Sequence, residues 1–147
     1  MEGHSWRNVT PEHSIEVQIP FIQKVLPSAQ IVPIVMGSQD DEVVHTLSYA
    51  ITKALTSANR ENDVLLIASS DLSHYHGYKR AYSIDSKFLQ TFSKFDYFKL
   101  NAELHSRDVE ACGGGPIVTV MSVCEAMGAN KAIATFYATS GDSPYAP

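Results

Sequence analysis

Three short apolar runs and several longer stretches of helical periodicity divide the chain. Ile31–Met36, Val64–Ala68 and Ala132–Ala138 are nearly continuous apolar segments of strand length. Such runs suit strands buried on both faces of a sheet. Pro33 counts against a central position for the first. Between the runs, apolar residues recur at helical spacing. Ile15, Ile19, Ile22 and Leu26 make one stripe, with Thr10 as N-cap, Pro11 at the first helical position and Pro20 as a kink. Val43, Leu47, Ala50, Ile51, Ala54 and Leu55 make another, with acids in its first turn. "YKRAYSIDSKFLQTFSKF" and "DYFKLNAELHSRDVEAC" read as two further helices. "PIVTVMSVCEAMG" reads as a last one, opened by Pro116 and closed by Gly128. The alternation predicts an α/β fold: a mostly parallel or mixed sheet flanked by helices, in one domain over residues 1–147.

Composition narrows the partners. A net charge of −5 over 147 residues gives no basic footprint for nucleic acid and no polybasic signal for membranes. No stretch has the length of a membrane span, and the first residues hold no apolar signal core. Two cysteines, Cys112 and Cys124, are too few for a disulfide framework, and a reducing cytoplasm is the simpler setting.

Three places could carry chemistry. "ASSDLSHYHGY" follows the Val64–Ala68 run. Ligands of open α/β sheets gather beyond the carboxyl ends of strands. His74 can face such a crevice, with Asp71 and Ser73 making local turn bonds; an ordinary polar turn with a surface histidine is the plain alternative. His76 and Tyr78 are lesser candidates. His13, in "PEHSIE", suits a metal ligand in a helix first turn, or simply a solvated polar face. Cys112 precedes three glycines and a helix, where a thiol gains thiolate character and can act as nucleophile or soft metal ligand. A buried cysteine beside a glycine turn is the alternative. Cys124 reads as core. His4, His45 and His105 lack a supporting context. No HExxH, CxxC, GxGxxG or GxSxG spacing is present.

At these residues the sequence resembles the Memo family, whose microbial members are called AmmeMemoRadiSam system protein B. "PEHSIEVQIPFIQ", "IVPIVMG", "ASSDLSHY", "CGGGPI" and "YATSGD" follow that family's motifs in order. The resemblance implies a fold similar to class III extradiol dioxygenases, which hold non-haem iron on two histidines and a carboxylate. In Memo-like proteins the pocket has two histidines and a cysteine, with a further histidine at the acid/base position. Carried over, the resemblance gives His13 and Cys112 as metal ligands, His74 as the acid/base group and Asp71 as a positioning residue. It implies Fe(II) or copper as cofactor, held weakly or not at all by this chain alone. Family members are longer, and the segment carrying the other metal histidine has no counterpart here. The chain therefore resembles a carboxyl-terminal portion, lacking the amino-terminal part of the fold.

Three functions follow from these readings. The first is a Memo-like protein with an incomplete, oxidoreductase-like His/Cys pocket. The second is a non-catalytic module that binds a small molecule or peptide. The third is a Cys-His hydrolase with Cys112 as nucleophile and His74 as base. Expected partners are a pocket ligand and either a second copy or a complementary amino-terminal segment.

Overall fold

The computed structural model describes residues 13–143. They fall into two compact units, divided after Val35. Thr10 and Pro11, expected to open the first helix, lie outside the described residues.

In the first unit, a 3₁₀ turn over Glu16–Gln18 leads into a short helix, α1, over Ile19–Val25. Pro20 therefore sits in the first turn of α1 rather than inside a longer helix. There its missing N–H costs nothing, because the first helical N–H groups have no intrahelical acceptor. The expected kink becomes a helix start.

The second unit holds four helices: α2 (Asp41–Ala58), α3 (Tyr78–Ser93), α4 (Tyr97–His105) and α5 (Gly114–Ala126). The carboxylate of Asp40 accepts the Val43 N–H at 2.9 Å and caps α2. Asn59, in the left-handed region at φ 50°, closes it. Val44 and Ser48 are the buried positions of α2, while Ala50 and Ala54 are exposed. Its inward face is thus turned slightly from the expected stripe. α5 packs on both α2 and α4, and α3 packs on α4. The core is formed by Phe88, Leu100, Val109 and Met121, with Phe92, Leu104 and Ile117 packed around it. It is a helix-on-helix core, lying directly behind the turn that carries Cys112.

The expected sheet is overturned. Among the described residues there is no strand, and Ile31–Met36, Val64–Ala68 and Ala132–Ala138 have no regular structure. They leave large apolar side chains in solvent: Val32 is 82% exposed, Leu65 68% and Phe136 85%. Strand-forming residues express that tendency only against a hydrogen-bonded neighbour and a packed face. Here no ladder forms, and the core is built by helices α3, α4 and α5 with the loop residues Leu72, Phe95, Val109 and Ala111. The fold described is helical, not α/β, and the sheet of a dioxygenase-like fold is absent from it.

Candidate functional site

The functional cluster sits where the loop after Val64–Ala68 meets the turn before α5. Asp71 and Cys112 are joined twice. The Asp71 N–H donates to Cys112 Sγ at 3.2 Å, and the Cys112 N–H donates to the Asp71 carbonyl at 3.2 Å. Ser70 strengthens the junction: its hydroxyl donates to the Asp71 carbonyl at 2.7 Å and accepts the Gly113 N–H at 2.8 Å. Glycine is required at 113 by close approach. A Cβ there would lie 2.5 Å from the Ser69 carbonyl oxygen and 2.8 Å from Ser70 Cβ.

Gln39 closes the other side of the turn. Its amide nitrogen donates to the Cys112 carbonyl at 2.8 Å, and its amide oxygen accepts the Gly115 N–H at 2.7 Å. One side chain thereby satisfies a carbonyl and an N–H that α5 cannot pair internally.

His74 Nε2 lies 3.3 Å from Asp71 Oδ2. Asp71 therefore contacts Cys112 through its backbone and His74 through its carboxylate. His76 Nε2 stands 3.0 Å from both carboxylate oxygens of Glu110 and ties the histidine loop to the cysteine turn. Below them, buried Asp85 accepts the Ser73 N–H at 3.0 Å and the Tyr137 hydroxyl at 2.7 Å. Burial, with the neighbouring Asp85 carboxylate, pushes the Tyr137 hydroxyl well above the usual tyrosine range.

These contacts border a cleft of about 510 Å³ lined by His74, Cys112, Arg107 and His105 and walled by Leu72, Leu104 and Val109. Cys112 is exposed. Its Sγ accepts the Asp71 backbone N–H. Cys124 is half-buried within α5, and burial pushes its thiol up.

His13 belongs to the first unit, where its Nδ1 stands 2.8 Å from Glu16 Oε1. A carboxylate on one ring nitrogen fixes the tautomer and is the usual support of a metal-ligating histidine. Among the described residues, no group of three or more His, Cys, Asp or Glu side chains is arranged to hold a metal ion. The expected metal ligands do not by themselves fit a catalytic metal, which takes about three protein ligands. The hydrolase arrangement is not made either. His74 meets Asp71, and no hydrogen bond joins His74 to Cys112 among the described residues. His45 is exposed on α2. Gln39, Ser70, Asp85 and Arg107 were not marked by sequence patterning.

This is a helical unit whose cleft carries a cysteine and a histidine brought together by one aspartate. Residues 4–145 match the family model described as Memo-like protein. The chain belongs to the Memo-like family. It is 40% identical over 131 residues to a MEMO1 family protein of Methanobrevibacter smithii, covering 89% of this chain and 46% of the relative. It is 39% identical over 133 residues to one from Sulfolobus acidocaldarius, covering 90% and 46%. With one from Methanosarcina mazei it shares 35% identity over 141 residues, covering 95% and 50%. The chain thus spans about half the length of the curated relatives it matches. No solved structure matches it significantly. Among the described residues no helix is long and apolar enough to cross a membrane.

Proposed function

We propose that this chain supplies the cysteine-histidine wall of a Memo-type small-molecule pocket, with Cys112 and His74 facing the ligand. The observation that carries the reading is the position of both side chains on one cleft, linked through Asp71. A cysteine sulfur held by a backbone N–H and an imidazole held by a carboxylate are groups that orient a ligand and exchange protons with it. Where the whole protein binds Fe(II) or copper, Cys112 and His13 are the donors this chain offers, and the remaining ligand comes from elsewhere. Oxidoreductase chemistry belongs to that completed site. The setting proposed is cytoplasmic, consistent with free cysteines.

The test is native labelling with iodoacetamide at neutral pH, read by peptide mass spectrometry. Cys112 should be modified and Cys124 spared. His74→Ala should leave the Cys112 rate within about twofold, because the Sγ takes its hydrogen bond from the Asp71 N–H. An unreactive Cys112 would remove the pocket reading. Labelling lost in His74→Ala would favour the hydrolase. In parallel, O₂ uptake with Fe(II) and catechol should stay at the buffer rate. Uptake above it that disappears in Cys112→Ala would make this chain an oxidoreductase by itself.

A further inference from the structure

The cleft carries a cation that neither the fold nor a neighbouring carboxylate explains. Arg107 lines it and lies just after α4, at φ 61°. This is the closing turn of that helix. The Arg107 N–H donates to the Leu104 carbonyl at 3.1 Å, and the Asp108 N–H donates to the Glu103 carbonyl at 2.9 Å. Glycine or asparagine normally fills such a left-handed position, and a larger side chain there is disfavoured by its Cβ. Turn chemistry therefore does not call for arginine. Ion pairing does not either: among the described residues the Arg107 guanidinium makes no salt bridge. The acids nearby are engaged otherwise. Glu110, on the same cleft, meets His76 with both oxygens. Asp41 is taken by Asn101 at 2.6 Å and stands 3.6 Å from His105 Nε2.

In a chain with net charge −5, an arginine with no ionic partner among the described residues, lining the cleft that holds Cys112 and His74, marks a preference for anions. Resting on the pocket reading above, we infer that the ligand is a small organic monocarboxylate. Its carboxylate binds Arg107, and its apolar body lies against Leu72, Leu104 and Val109. The planar guanidinium matches one carboxylate through two parallel hydrogen bonds. Glu110 on the same cleft disfavours the second charge of a phosphate monoester. The carboxylate anchor would hold the rest of the ligand near the Cys112 sulfur.

The test compares alkylation of Cys112 by anionic iodoacetate and neutral iodoacetamide. It uses the full chain at low salt, with each rate normalised to that of N-acetylcysteine. The normalised iodoacetate-to-iodoacetamide ratio should be about threefold above one, the size expected of one nearby charge in a hydrated cleft. It should fall to about one in Arg107→Asn, a residue the left-handed turn accepts, and persist in Arg107→Lys. Benzoate should slow alkylation of Cys112, whereas benzamide should not. A ratio at or below one in the native chain would overturn the inference. So would a ratio unchanged in Arg107→Asn, or stronger protection by phenyl phosphate than by benzoate. If neither reagent reaches Cys112, the pocket reading itself falls. If iodoacetamide reaches it without any charge preference, only the carboxylate assignment falls.

Discussion

Asp71 and Cys112 hold each other by two hydrogen bonds of 3.2 Å, one from backbone to sulfur and one from backbone to backbone. The residues are 41 positions apart, so the pairing is tertiary and depends on how closely the two chain segments approach. Gly113 sets that approach.

Gly113→Ala should destabilise the fold by about 2–3 kcal/mol, the upper range for forcing atoms into a packed site. The added carbon meets backbone at Ser69, which cannot rotate away. Gly77→Ala is the matched control. Its Cβ meets nothing within 4 Å, and its φ of −64° suits any residue. Urea unfolding followed by circular dichroism should show a large shift for the first and almost none for the second. Equal shifts would mean that the loop and the turn are not packed as described.

Gln39→Leu removes both partners of the amide clamp. It leaves the buried Gly115 N–H and the Cys112 carbonyl without them, a loss of roughly 1–3 kcal/mol for each group that water cannot reach. Thermal unfolding should report the loss, and iodoacetamide should modify Cys112 faster as the turn loosens. Gln39→Glu separates the two bonds, because it keeps an acceptor for Gly115 while losing the donor to Cys112.

Tyr137 gives a stability term at alkaline pH. Burial and Asp85 raise its hydroxyl above the ordinary value of about 10. The folded chain therefore keeps this proton at a pH where the unfolded chain releases it. The contribution is fully present below pH 10 and is lost as pH rises from there toward the folded value. Tyr97 acts in the same direction, through burial and its bond to Glu125. Stability measured from pH 9 to 11 should fall more steeply in the native chain than in Tyr137→Phe. Identical slopes would show that Tyr137 is solvated in the folded state.

The metal expectation is tested by dialysis and elemental analysis, then titration with Fe(II), Cu(II) and Zn(II). The chain should retain well under one equivalent, since two protein donors fall short of the roughly three that a catalytic site employs. Near-stoichiometric metal, lost in both His13→Ala and Cys112→Ala, would show that a third ligand is recruited within this chain.

The helices were legible because their signals are local. Asp40 at the start of α2, Gly128 past the end of α5 and the apolar spacing of both can be read within a few turns. The apolar runs misled for the opposite reason. Val32, Leu65 and Phe136 record a preference for burial, but a strand needs a neighbour that the run itself does not contain. The cleft divides along the same line. Cys112 stood out through its glycines, and His74 and Asp71 through their place after an apolar run. Gln39 and Ser70 gave no signal, because reaching across 73 and 43 residues leaves no local trace. Arg107 sits in a stretch of ordinary helical polarity. Only its left-handed backbone and its lack of an ionic partner among the described residues set it apart.

The Gln39 clamp has a mechanical consequence. Gln39 lies immediately before the Asp40 cap of α2, and its amide grips both sides of the cysteine turn. Displacement of Cys112, by a bound molecule or an oxidised sulfur, is therefore felt through the Gln39 amide at the first turn of α2, the longest helix among the described residues. Hydrogen exchange at the Val43 and Val44 amides would register that strain at a distance from the sulfur.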